Sequence, residues 1–128
     1  MGKSIVKQKS YEFALQIIKL CTQLRGDRHY EISSQLLRSG TAVGANIEEA
    51  LAGQSRKDFF AKMSIASKEA REVNYWLRLL KDSKICDGNG IHDLLDKSDE
   101  LIKILTSIVK KGAETQSLTK NSKLKTQN

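Results

Sequence analysis

The chain has 128 residues, the length of one domain, and its lack of proline, 5% aromatic content and scattered strand formers point to an all-α class. The formal net charge is +7, and most of the excess sits in residues 110–128, where Lys110, Lys111, Lys120, Lys123 and Lys125 face only Glu114. Two cysteines are too few for a disulfide-stapled secreted domain, and no stretch approaches the roughly 20 apolar residues that span a bilayer.

The first helix is expected from about Ser4 to Arg25. Its apolar positions are Ile5, Val6, Phe13, Ala14, Ile17, Ile18, Leu20, Cys21 and Leu24, mostly three and four apart. Gly26 is its natural stop. The second helix is expected from about Glu31 to Leu51, with Ile32, Leu36, Val43, Ile47 and Ala50 on one stripe. Its middle is crowded with small residues: Ser39, Gly40, Thr41, Ala42, Gly44 and Ala45. Glycine inside a helix costs about 1 kcal/mol relative to alanine. Gly40 and Gly44, four apart, share a face. The cost implies a close helix contact there.

Ser55 can cap the third helix, with Asp58 in its first turn. Phe59, Met63, Ala66, Ala70, Val73, Leu77 and Leu80 then alternate steps of four and three, a coiled-coil-like seam. A second apolar line carries Ile65, Trp76 and Leu79, with Tyr75 nearby. It fits either contact outside the bundle or a wider core stripe. Asp87-Gly88-Asn89-Gly90 is a loop by composition. The fourth helix is expected from about Ile91 to Lys111, with Leu94, Leu95, Leu101, Ile102, Leu105, Ile108 and Val109 as its stripe. Gly112 is expected to stop it, which leaves residues 1–112 as the bundle and 113–128 as a mobile basic tail. Short connections make neighbouring helices antiparallel, in an up-down-up-down four-helix bundle.

The stretch Arg38 to Gly53 resembles the signature region of four-helix bundle proteins encoded within intervening sequences of bacterial 23S ribosomal RNA genes. Its continuation Gln54-Ser-Arg-Lys-Asp-Phe-Phe-Ala-Lys-Met63 does so too, as do Ser67 to Leu80, Tyr11 to Leu15 and Gln35 to Arg38. The resemblance spans residues 10 to about 110. It implies an antiparallel bundle that assembles as a ring-like homo-oligomer, typically a pentamer. It also implies likeness in fold to the accessory variability determinant of diversity-generating retroelements, which binds a reverse transcriptase and nucleic acid. Many members end the second helix with Ala-Glu-Gly, where this chain reads Glu49-Ala50-Leu51-Ala52-Gly53.

No serine or cysteine sits at catalytic spacing from His29 or His92. Cys86, Asp87, His92, Asp93 and Asp96 match no standard zinc spacing. The expectation is a non-enzymatic protein with no metal and no cofactor. Assembly is expected through Gly40, Gly44, Asn46, Tyr75, Trp76 and Leu79. A polar pairing is expected in which Asn46 and one of Glu48, Glu49 or Glu72 meet Arg38 or Arg71, against the alternative of a solvated face. Arg25, Arg28, Arg56, Lys57, Lys110 and Lys111 are candidates to meet phosphate. The connections bearing Arg25 and Arg28, and Arg56 and Lys57, lie at opposite bundle ends. No RNA-recognition motif and no aromatic stacking platform is visible in the sequence. The expected partners are further copies of the chain, with RNA or a reverse-transcriptase-like protein beyond them. The alternative is a protein-binding adaptor. The expected location is the cytoplasm.

Overall fold

The computed structural model describes the backbone of residues 2–126 and the side chains of residues 5–118. It contains four helices: α1 (Gly2–Gly26), α2 (Tyr30–Ala52), α3 (Arg56–Asp82) and α4 (Asn89–Thr126), with no strand among the described residues. Each helix packs on the next, and α1 also packs on α4.

The apolar steps of four and three in α3 close the core as the spacing predicts. Met63, Ala66, Ala70, Val73, Leu77 and Leu80 are buried, facing Phe13, Ile17, Leu36, Val43, Ile47, Leu101 and Leu105. Ser55 caps α3 by accepting a hydrogen bond from the Asp58 N–H at 3.0 Å. In α1 the stripe is narrower than its composition suggests. Ile5 and Ile18, expected on the core side, are 50% and 45% exposed.

The close approach at Gly40 and Gly44 is made to α1 of the same chain. A Cβ on Gly40 would lie 2.7 Å from Ile17 Cγ2, and one on Gly44 would lie 3.3 Å from Ser10 Oγ. Further along, the Ser33 hydroxyl donates to the Cys21 carbonyl at 3.2 Å, and the Cys21 thiol donates to the Ser33 carbonyl. Residues 10, 17 and 21 of α1 therefore meet 44, 40 and 33 of α2. The seam is lined by small side chains, which is what lets the two backbones approach.

Gly26 ends α1, yet the left-handed residue that turns the chain is Arg28, at φ 67°. The His29 N–H reaches back to the Leu24 carbonyl at 2.8 Å, and the Arg28 N–H to the Arg25 carbonyl at 3.0 Å. These are the two bonds of a Schellman closure, and they place the left-handed position two residues beyond the glycine. At the other end, the expected stop at Gly112 is not made: α4 runs through it to Thr126. Gly112 is buried against α3, where a Cβ would fall 2.4 Å from Phe60 Cδ1. The glycine makes room for an aromatic ring rather than terminating the helix. Of the expected tail, residues 113–118 have described side chains, whereas Lys120, Lys123 and Lys125 carry side chains outside the described residues.

Candidate functional site

Four surfaces are candidates for function: two apolar outer faces, a polar seam between helices, and a cleft beside the α2–α3 connection.

The second apolar line of α3 lies outside the core. Ile65, Tyr75 and Leu79 are 41%, 47% and 39% exposed, while Trp76 is half-buried. The Tyr75 and Trp76 rings meet edge to face at 5.4 Å, and the Arg78 guanidinium sits 5.6 Å from the Tyr75 ring centre. The Trp76 Nε1–H is buried with no acceptor among the described residues. Tyr11, Leu15 and Ile18 form an exposed line on α1 at steps of four and three, and Leu37 of α2 is also exposed. Leu15 and Leu37 were not singled out by the sequence, because neither falls on a core stripe. Asymmetric exposure on two different helices is the signal that reveals them.

Between α2 and α3 the polar contact is carried by Arg38. Its guanidinium bonds Glu69 at 3.2 Å and also pairs closely with Glu72. Glu69, one turn before Glu72, was missed. Glu49 pairs with Lys62 at 2.9 Å, while Arg71 bonds the Thr106 hydroxyl of α4 at 2.9 Å. Glu48 is exposed. Asn46 turns back on its own helix and donates to the Ala42 carbonyl at 2.8 Å. The buried amide is instead Asn74, 8% exposed. Its Nδ2 donates to Ser98 Oγ at 2.8 Å and to Asp99 Oδ1 at 3.0 Å, and its Oδ1 accepts from Arg78 Nε at 3.0 Å. Three partners satisfy this amide, as a buried polar group requires.

The basic candidates divide between the two ends of α2, which at about 1.5 Å per residue keeps them roughly 35 Å apart. Arg25 and Arg28 flank the α1–α2 connection, where the Arg25 guanidinium lies 5.5 Å from the Tyr30 ring. At the opposite end, Arg56 and Lys111 line one open cleft of about 560 Å³ with Ala50, Leu51, Gly53, Phe59, Phe60 and Ile108. Phe59 and Phe60 meet edge to face at 5.1 Å. No aromatic platform is visible along the sequence. The structure supplies an aromatic wall beside two cations because the first turns of α3 pack beside Ile108 and Lys111 of α4. Lys57 and Lys110 are exposed but do not line the cleft.

A second cleft, of about 450 Å³, lies between α1 and the α3–α4 connection, and Asp27, Asp87, Asp93, Lys19 and Cys86 are among its lining. Burial, with Asp87 and Asp27 nearby, pushes the Cys86 thiol up. Burial also raises Cys21, against a smaller opposing effect of its bond to Ser33. Both cysteines are free thiols. Among the described residues no helix is long and apolar enough to cross a membrane.

Residues 2–107 match the family of 23S rRNA-intervening sequence proteins. The chain is also similar to a crystal structure from Bacteroides thetaiotaomicron VPI-5482, described as a protein of unknown function from the S23 ribosomal protein family. Identity is 43% over 86% of this chain and 99% of that one, with a TM-score of 0.81. Among curated proteins, none matches. Four helices in this order, the glycine-lined α1–α2 seam and the match over residues 2–107 lead to one assignment: the chain belongs to the 23S rRNA-intervening sequence protein family.

Proposed function

We propose that the protein is a non-enzymatic scaffold that assembles with copies of itself into a ring and binds nucleic acid without reading its sequence. The observation that carries this reading is the pair of apolar outer faces, Tyr11, Leu15 and Ile18 on α1 and Ile65, Tyr75 and Leu79 on α3. Two unlike faces on one chain favour a head-to-tail contact, and head-to-tail contacts that close make rings. Five copies are favoured by the resemblance described above. The falling order of residue partners along α1 and α2 supports the up-down-up-down arrangement. So does the same order across α1 and α4, where Lys9 meets Glu100 and Gln16 meets Asp93. Two free thiols fit a reducing cytoplasm. The net charge of +7 is multiplied by assembly, which attracts phosphate from a distance.

Light scattering on the intact protein tests the assembly. Several copies per particle are expected, and Leu79→Glu or Ile18→Glu should each shift the mass toward the monomer without unfolding the helices. A monomeric parent would refute the ring. Binding of labelled RNA should fall steeply with salt, as counterion release requires. It should survive replacement of Lys120, Lys123 and Lys125 by glutamine. No binding at low salt would leave the protein-binding adaptor as the better reading.

A further inference from the structure

We propose that the cleft beside the α2–α3 connection holds one unpaired nucleotide, with the base against Phe59 and Phe60 and the phosphate between Arg56 and Lys111. This rests on the nucleic-acid reading above and says which form of nucleic acid is held, and where.

The cleft is about 560 Å³, within the range of small-molecule sites. Its walls have two characters. Ala50, Leu51 and Ile108 give it an apolar floor, Phe59 and Phe60 give it ring surface, and Arg56 and Lys111 are its charged lining residues. An occupant that satisfies both must carry a flat apolar body joined to an anion. A nucleotide has that form. The first turn of α3 adds the positive end of its helix dipole on the side of Arg56. The other cleft makes the contrast. It is of similar size, but Asp27, Asp87 and Asp93 contribute to its lining and oppose a phosphate.

The geometry has a consequence for the partner's form. In a duplex the bases are stacked and paired, so only phosphate could reach the cleft. In a single strand one base can turn out and stack on a ring, a contact that tolerates any base. The cleft therefore confers a preference for single strands without a preference for sequence.

The test uses the full chain and two fluorescent probes, a short oligouridine and an RNA duplex carrying the same number of phosphates. The single strand should bind about tenfold more tightly than the duplex. Leu51→Trp fills the cleft without changing charge, and Phe60→Leu removes a ring while keeping the site apolar. Each should weaken single-strand binding about tenfold and leave duplex binding within about twofold. Thermal melts identify any variant that fails to fold, in which case the other variant decides.

Salt-sensitive binding by the parent, unchanged in both variants, would overturn the cleft assignment while leaving phosphate binding intact. If the parent bound neither probe at low salt, the nucleic-acid reading itself would fall and the cleft assignment with it. A changed particle mass for Leu51→Trp would make the cleft a contact between copies and likewise overturn the proposal.

Discussion

Gly40 and Gly44 share a helix face and a sequence rationale, but they are not equivalent. A methyl at Gly40 meets Ile17, which is fully buried and β-branched, so its χ1 cannot swing aside cheaply. Overpacking of this kind costs about 1–3 kcal/mol, against about 1 kcal/mol gained in helix propensity. Gly40→Ala should destabilise by about 1 kcal/mol. Gly44→Ala meets Ser10 at 3.3 Å or more and should leave the melting temperature unchanged or higher. Equal effects in chemical denaturation would show that the two glycines are not distinguished by Ile17. A second contrast concerns Cys86. Its raised pKa comes from burial first and then from Asp87 and Asp27. Removing the Asp87 charge favours the thiolate, so Asp87→Asn should speed alkylation by iodoacetamide at pH 8. A rate equal to that of the parent would remove Asp87 from the account.

The helices differ in how they are tied together. The α1–α2 seam is built around Gly40, Gly44 and the paired Cys21–Ser33 hydrogen bonds, whereas α3 and α4 are tied through the Asn74 amide. The α1–α4 seam is bridged by polar groups: Lys9 with Glu100 at 2.7 Å, Gln16 with Asp93 at 3.2 Å, and Lys97 with Gln16 at 3.0 Å. Exposed pairs of this kind contribute little individually. Their pH dependence is nonetheless readable. The Lys97 hydrogen bond, followed by the one from Gln16, holds the Asp93 carboxyl below the usual carboxylate range. A depressed folded pKa stabilises above the unfolded value, near 4, and the gain is lost as pH falls through the folded value. Asp93→Asn should therefore melt slightly below the parent at pH 7, with the gap closing below about pH 4. A gap that persists into acid would assign the difference to packing.

Across the whole molecule, apolar character reaches the outside on more than one helix. The core needs only one seam of α3, yet Ile65, Tyr75 and Leu79 continue the apolar character onto the outside. Arg38, Glu69 and Glu72 bond on the α2–α3 side of the bundle, and α3 places Glu72 one turn from Trp76. An apolar patch beside a charge pair that ties α2 to α3 would specify how a second copy docks as well as whether it does. The basic cleft lies beside the α2–α3 connection, and the exposed apolar lines run along α1 and α3. The proposed ring contacts and the proposed nucleotide cleft thus draw on different side chains. A loss of RNA binding at unchanged particle mass would therefore point to the cleft rather than to the assembly.

Helix number, the α3 seam, the Ser55 cap and the close approach at Gly40 were legible in the chain because each depends on neighbours within a turn or two. Periodicity encodes a face, and a cap or a glycine acts locally. Other features depended on which helix stood opposite. Ile18 has a core-like spacing but lies on a flank with no helix over it. Asn46 and Asn74 are both helical asparagines, and only the arrival of Ser98, 24 residues further on, makes Asn74 the buried one. Gly112 reads as a stop until Phe60 is seen to occupy the space its missing side chain leaves. The cleft joins residues from three helices, so no local pattern could announce it. Local free energies are written along the chain, whereas burial and charge proximity are properties of the packed whole.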